Sequence, residues 1–279
     1  MSGYVRVPKD LLVKYPDEAK NLTKDVYGVE PRLDKLIELF SSNPCILKGL
    51  SGSKNRRIID LGGNSGYFSF GLISSGIASS AQVIDANKDF LQAGRRFARL
   101  LDRENQISFI SRKIDLDFVR SEMGFFDITI INNLLHHAGY LFDAERVREH
   151  GWNNYLVEFL GCLYEKSDVV ILGLGLKRSL PMFWLPPRFS RLSDNRYWHL
   201  KKLVEKTNWK ICYFAFVDNL DTQLKGDLPK WKKVIGIFLE PTLKIVFMSR
   251  AWLEKKTGLK LRPAGLNQRK FYVMMVLSK

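Results

Sequence analysis

The sequence is short of several things, and each shortage removes a class of protein. No apolar run reaches the roughly 18 residues a membrane-spanning helix needs, so no span is expected. The first fourteen residues hold no apolar core segment of the secretory kind, so no signal peptide is expected either. Only three cysteines occur, Cys45, Cys162 and Cys212, scattered without metal-ligand spacing, which implies a reduced, cytoplasmic setting. There is no internal repeat and no low-complexity tract. What remains is a globular composition, 46% hydrophobic and 26% charged, over 279 residues. That length holds one large α/β domain, or one domain with an appendage, around a sizeable core.

Acidic residues are scarce in one region only. Residues 1–176 carry 22 Lys and Arg against 22 Asp and Glu, whereas residues 177–279 carry 22 against 7, so the whole excess of 15 positive charges lies in the C-terminal part. A solvated face would explain it, and so would a field that draws in an anionic substrate, RNA or an anionic membrane surface.

The stretch that organises the rest is residues 58–85. Ile58 and Ile59 open a short apolar strand, Asp60-Leu61-Gly62-Gly63-Asn64-Ser65-Gly66 makes a glycine-rich turn, and an apolar-spaced helix follows. A second strand, residues 81–85, ends in the carboxylate of Asp85, with Ala86 next to it. This is half of a nucleotide-binding βαβ unit. Glycines let backbone pass close to a ligand, and the helix start offers unpaired N–H groups to a polar or anionic group. Asp85 is placed to accept both hydroxyls of a ribose. Asp60 suits a cation or the orientation of the loop better than it suits a pyrophosphate.

The turn at 60–66 is similar to the D-x-G-x-G-x-G loop of class I S-adenosylmethionine-dependent methyltransferases, with Asn64 in place of the middle glycine. Asn tolerates unusual backbone angles better than most residues. The resemblance implies that Asp60, Gly62, Gly63, Asn64 and Gly66 surround the methionine end of S-adenosyl-L-methionine, with Asp85 and Ala86 at the ribose. A dinucleotide site fits the same spacing to Asp85 and remains the competing reading.

Three later features fall in order. An amphipathic helix over residues 90–102 and a strand at 107–110 lead to Asp115, where the resemblance implies a contact with the adenine; Asp117 competes for that role. Residues 126–131 form a buried strand ending in Asn132 and Asn133, followed by His136 and His137. Polar groups at the carboxyl end of such a strand stand where open α/β sheets bind ligands, and the resemblance implies that Asn132 lies beside the cofactor. An imidazole there could take a proton from an acceptor hydroxyl or amine near neutral pH. Adjacent residues on one helix or strand cannot both face the cleft, so at most one of the two histidines is expected to be catalytic. A helical region at 140–164 and a continuous apolar strand at 168–176 complete a βα alternation.

The expected architecture is an α/β, doubly wound, mostly parallel seven-stranded Rossmann-like sheet. Residues 1–55 form an N-terminal helical cover, in which the stretch 25–42 includes Pro31 at a helix start, and residues 56–279 form the methyltransferase domain. The sixth strand is expected at 209–217 and the last at 270–277, the last running antiparallel if the resemblance holds. The connection between them, about 218–269, is too long for a simple loop and carries Trp231 and Trp252 among lysines. It reads either as an insertion shaping a substrate pocket or as an amphipathic patch for an anionic membrane or RNA.

The function implied is methyl transfer from S-adenosyl-L-methionine to an oxygen or nitrogen of an anionic small-molecule or saccharide-type acceptor. RNA, for example tRNA, is the alternative acceptor, and a non-catalytic binding module with the same fold is the alternative class. No Asn-Pro-Pro-Tyr motif follows the fourth strand, which argues against the amide and exocyclic base-nitrogen enzymes that resemble that pattern, and no cysteine stands in the loops after strands four and five, which disfavours a covalent thiolate mechanism on a pyrimidine. No carboxylate cluster stands at the fourth strand's end, so no metal is expected. A cytoplasmic protein, peripheral to a membrane in one reading, is the setting these features suggest.

Overall fold

The computed structural model describes residues 7–14, 30–50, 55–177, 196–218, 224–225 and 270–279. The basic aromatic loop after the fifth strand and nearly all of the 218–269 connection lie outside the described residues.

Strands β1 (Arg57–Leu61), β2 (Ser80–Asp85), β3 (Ile107–Ser111), β4 (Phe126–Asn132) and β5 (Ser167–Lys177) are parallel in the order β3-β2-β1-β4-β5. Beyond them, β6 (Lys210–Asp218) sits outside β8 (Lys270–Ser278), which runs antiparallel to both β5 and β6. These are the seven long strands expected. An eighth, β7 (Leu224–Lys225), pairs two residues against the end of β6, so the long connection begins with a short edge strand.

The central strands are apolar on both faces because both faces are covered. Ile58 and Ile59 of β1 are fully buried in two different cores, as the alternation of side chains along a strand requires. One core packs α2 (Glu30–Ser42), α4 (Tyr67–Ser74) and α5 (Lys88–Leu100) on the sheet through Leu33, Leu36, Phe70, Leu91 and Phe97. The other packs α6 (Ala144–Lys166) and α7 (Arg196–Val204) through Tyr155, Leu156, Phe159, Leu163 and Val204. Each such side chain contributes roughly 1.5–3 kcal/mol on full burial. Two short helices, α1 (Lys9–Lys14) and α3 (Pro44–Gly49), complete the N-terminal part.

That N-terminal part lies against α4 and the foot of the sheet. Leu33 of α2 fills the notch left by Gly71, where a Cβ would fall within 2.7 Å of both Leu33 methyl carbons. Asn43 caps α3 by accepting from the backbone N–H groups of Cys45 and Ile46 at 3.0 and 3.4 Å.

The expectation of separate, reduced cysteines is corrected here. Cys45 of α3 and Cys212 of β6 are joined as a disulfide, with their Cα atoms 5.6 Å apart and 167 residues between them in sequence. The reason is a bulge: Ile211 pairs with Leu277 and Tyr213 with Val276, so Cys212 is an extra residue without a partner on β8. The Asn43 side chain donates to the Cys212 carbonyl at 3.3 Å, which seats α3 over that bulge. Cys162 is free and half-buried.

Candidate functional site

The glycine turn stands at the carboxyl end of β1, the position the sequence assigns. Gly62 and Gly66 have φ of 71° and 81°, and Asn64 has φ of 57°, so three residues of the turn are left-handed. Glycine meets that demand without strain, and asparagine is among the few other residues that tolerate it. Asn64 also steadies itself, its side-chain oxygen accepting from the Ser65 N–H at 2.7 Å.

Gly63 has a different reason. A Cβ there would lie 2.6 Å from Cγ of Asp60 and 2.7 Å from a methyl of Val83, so the turn rests directly on its own sheet. Asp60 is accordingly buried beneath the turn, 1% exposed, and accepts from the Ser69 hydroxyl at 3.0 Å. It supports the turn from below. Leu134, from the segment after β4, lies over Gly62, where an added Cβ would come within 3.3 Å of it.

Asp85 ends β2 as expected, and its carboxylate cross-links the site. One oxygen accepts from the Asn64 N–H at 2.9 Å, the other from the Asn87 N–H at 2.8 Å. A carboxylate offers about four lone-pair positions, so acceptor capacity remains on each oxygen. Ala86 is exposed beside it, and Asn87 caps α5. The start of α4 is left open by its cap: Gly66 supplies no side-chain acceptor to the first-turn N–H groups.

Asp115 and Asp117 are separated by their surroundings. Asp115 is half-buried after β3 and accepts from the Phe118 N–H at 2.9 Å through one oxygen. The Asp117 side chain is 71% exposed and pairs with Arg146 at 3.1 Å. The loop bearing Asp115 is tied down by a residue that sequence reasoning missed. Asp143, itself left-handed at φ 50°, accepts from the Leu116 N–H at 2.9 Å and from the Tyr155 hydroxyl at 2.6 Å. Burial first, and then this bond to a carboxylate, push the Tyr155 phenol far above its ordinary range. The only signal in the chain is the twelve-residue step from Asp143 to Tyr155 across the start of α6, which by itself is unspecific.

At the end of β4, Asn132 and Asn133 both have side-chain oxygens that are buried and find no hydrogen-bond partner among the described residues. Asn132 lies over Gly173 of β5, occupying the space of any Cβ there. Asn133, left-handed at φ 59°, bonds through its N–H to the Gly173 carbonyl at 2.8 Å, ending the pairing of β4 with β5. Such buried acceptors fit a ligand that brings N–H donors.

His136 and His137 lie in a single 3₁₀ turn, Leu135–His137, with ring centroids 4.0 Å apart at 43°. Side chains on this turn do not diverge as they would on a strand, so the two imidazoles sit side by side. The turn is fixed from α6, where Trp152, one residue after the kink at Gly151, donates its indole N–H to the Leu135 carbonyl at 3.0 Å. The structure thus brings Asp60, Gly62, Gly63, Asn64, Gly66, Asp85 and Ala86 together at the ends of β1 and β2. Asp115, Asn132, His136 and His137 stand at the ends of β3 and β4 along the same edge of the sheet. Among the described residues no group of three or more His, Cys, Asp or Glu is clustered as a metal ion would require.

No family model and no curated protein matches the sequence. Solved structures do match the fold. A SAM-dependent methyltransferase from Geobacter sulfurreducens, in complex with S-adenosyl-L-homocysteine, is 11% identical, with 98% of each chain covered and a TM-score of 0.50. WbdD, co-crystallised with a kinase inhibitor, is 15% identical with a TM-score of 0.50, and 99% of this chain spans 66% of that one. A SAM-dependent methyltransferase from Thiobacillus denitrificans is 13% identical over 98% of this chain and 99% of that chain, at a TM-score of 0.48. The chain has the class I S-adenosylmethionine-dependent methyltransferase fold: a mostly parallel, Rossmann-like sheet with helices on both faces and an antiparallel strand β8.

Proposed function

We propose that this protein binds S-adenosyl-L-methionine along the carboxyl edge of its sheet and transfers the methyl group to an oxygen or nitrogen of an anionic small-molecule or saccharide-type acceptor. The observation that carries the reading is Asp85: its carboxylate grips the glycine turn through Asn64 and keeps acceptor capacity on each oxygen for a diol. The residues present fit the cofactor. The uncapped start of α4 suits its polar amino-acid end, Asp85 its ribose, and the free oxygen of Asp115 an amino group on its base.

When bound, the cofactor supplies an electrophilic methyl on a sulfonium, open to direct displacement. The chain's own residues do the rest. Leu134 and the turn at 62–66 wall the site, Asn132 and Asn133 offer acceptors to N–H groups, and His136 or His137 takes the proton released by the acceptor. Holding two reacting groups in line can supply about 7–11 kcal/mol of a barrier, so the main work asked of this framework is rigidity. RNA is the second reading for the acceptor, favoured by the excess of positive charge in residues 177–279.

Titration calorimetry with S-adenosyl-L-homocysteine tests the proposal. One-to-one binding is expected; no binding, together with binding of a nicotinamide dinucleotide, would remove it. Retarded mobility with tRNA that weakens with salt would favour the RNA acceptor.

A further inference from the structure

The disulfide lies at the foot of the sheet, near the opposite end of the strands from the glycine turn, yet a continuous set of contacts leads from it to the cofactor turn. Cys212 is the bulged residue of β6, held against α3 by the bond to Cys45 and by the Asn43 side chain. Its neighbour Tyr213 carries Lys35 of α2 over its ring at 5.7 Å. Two residues earlier on α2, Leu33 is locked into the notch at Gly71 of α4. Next to Leu33, Arg32 is buried at 2% exposure with its guanidinium 5.7 Å from the Phe68 ring centroid. Phe68 belongs to the first turn of α4, two residues after Gly66 closes the glycine turn.

We infer that Cys45 and Cys212 form a reversible thiol–disulfide latch that sets the N-terminal helices against α4 and thereby tunes the cofactor turn. Both cysteines are half-buried, within reach of a small thiol, whereas a fully buried bond would be shielded from exchange. Closing the latch requires a small-molecule disulfide such as oxidised glutathione as the oxidant. One cysteine thiolate attacks it, releasing one thiol; the second cysteine then displaces the other, so two protein thiols give one bond and the oxidant leaves as two thiols. A reduced thiol of the same class reverses both steps. Oxidised, the latch keeps α2 and α3 seated; reduced, α3 loses its covalent tie to β6 and both helices are held by non-covalent contacts, so local opening becomes easier.

The test uses the full chain, equilibrated with oxidised or reduced glutathione. Alkylation under denaturing conditions should trap one thiol, Cys162, in the oxidised form and three in the reduced form. Trypsin should cut at Arg32, Lys35 and Lys48 of α2 and α3 on the order of tenfold faster in the reduced form, since cleavage follows local opening. Cys45→Ser and Cys212→Ser should each behave like the reduced form in either buffer. S-adenosyl-L-homocysteine should bind the oxidised form several-fold more tightly, a readout that rests on the proposed function, whereas the proteolysis does not. Three thiols after oxidation, or equal cleavage in the two forms, overturns the latch. Unequal cleavage with no cofactor binding in either form upholds the latch and removes the cofactor reading instead.

Discussion

Gly63 and Asp85 carry the site at the scale of single residues, and they do so differently. Gly63 is a packing residue: in Gly63→Ala the new Cβ meets Asp60 and Val83 at under 3 Å. Overpacking of this kind costs about 1–3 kcal/mol, and at roughly 2–4 °C per kcal/mol a melting point lower by several degrees is expected by calorimetry. Asp85→Asn should leave the fold intact and weaken S-adenosyl-L-homocysteine by at least about tenfold, because a charge-assisted acceptor is lost on the turn side and the diol side alike. The turn was legible in the sequence because its conformational demand is local: glycine and asparagine types announce left-handed backbone. The purpose of Gly63 was not legible, since Val83 reaches it from another strand. Asp143 stayed hidden for a similar reason, its partner Leu116 coming from the loop after β3 and the spacing to Tyr155 on α6 being unspecific.

At the scale of elements, α6 and its cap hold both the Asp115 loop and the histidine turn. Trp152→Phe removes the indole donor from the Leu135 carbonyl while keeping the ring. A lost neutral hydrogen bond costs about 1 kcal/mol, so a melting point lower by roughly 2–4 °C is expected, with the His136 and His137 ring resonances displaced in NMR spectra. Tyr155 makes the pH dependence of this element specific. The unfolded phenol titrates near about 10. The folded one holds its proton far above that, through burial and then the Asp143 carboxylate. This contribution to stability is therefore complete below the unfolded value and is lost as pH rises beyond it. Denaturant titrations at increasing alkaline pH should show a falling midpoint in the wild type and a flatter dependence in Tyr155→Phe. Strands and helices were legible to within a few residues: the strand expected at 168–176 is Ser167–Lys177, and the helix expected at 90–102 is Lys88–Leu100. Periodicity is a local property of the chain, so it survives reading in one dimension. The Cys45–Cys212 pairing is not local, and it forms where α3 is seated over the bulge in β6.

At the scale of the whole molecule, the arrangement follows from strands covered on both faces and joined by helices. The alternation of apolar runs with amphipathic ones was enough to anticipate a mostly parallel sheet. The antiparallel sense of β8 came from the resemblance, and its position between β5 and β6 came from the structure, because a strand's neighbour is not written in its own residues. The acceptor was not legible either: the excess of 15 positive charges in residues 177–279 is a property of net charge and points to anions as a class. Association with a polyanion such as tRNA should weaken steeply between low and physiological salt if that charge recognises it, and should be absent at every salt concentration if the acceptor is a small molecule.

The central claim is that the carboxyl edge of this sheet holds an adenosyl sulfur cofactor through the turn at 62–66 and the Asp85 carboxylate. Calorimetric titration of S-adenosyl-L-homocysteine into the wild type and Asp85→Asn, side by side, addresses it most directly. The account predicts saturable one-to-one binding to the wild type and at least about tenfold weaker binding to the variant, the loss of roughly 1.4 kcal/mol that one decade represents. Equal affinity for the two proteins, or no heat of binding to a folded wild type, would contradict it.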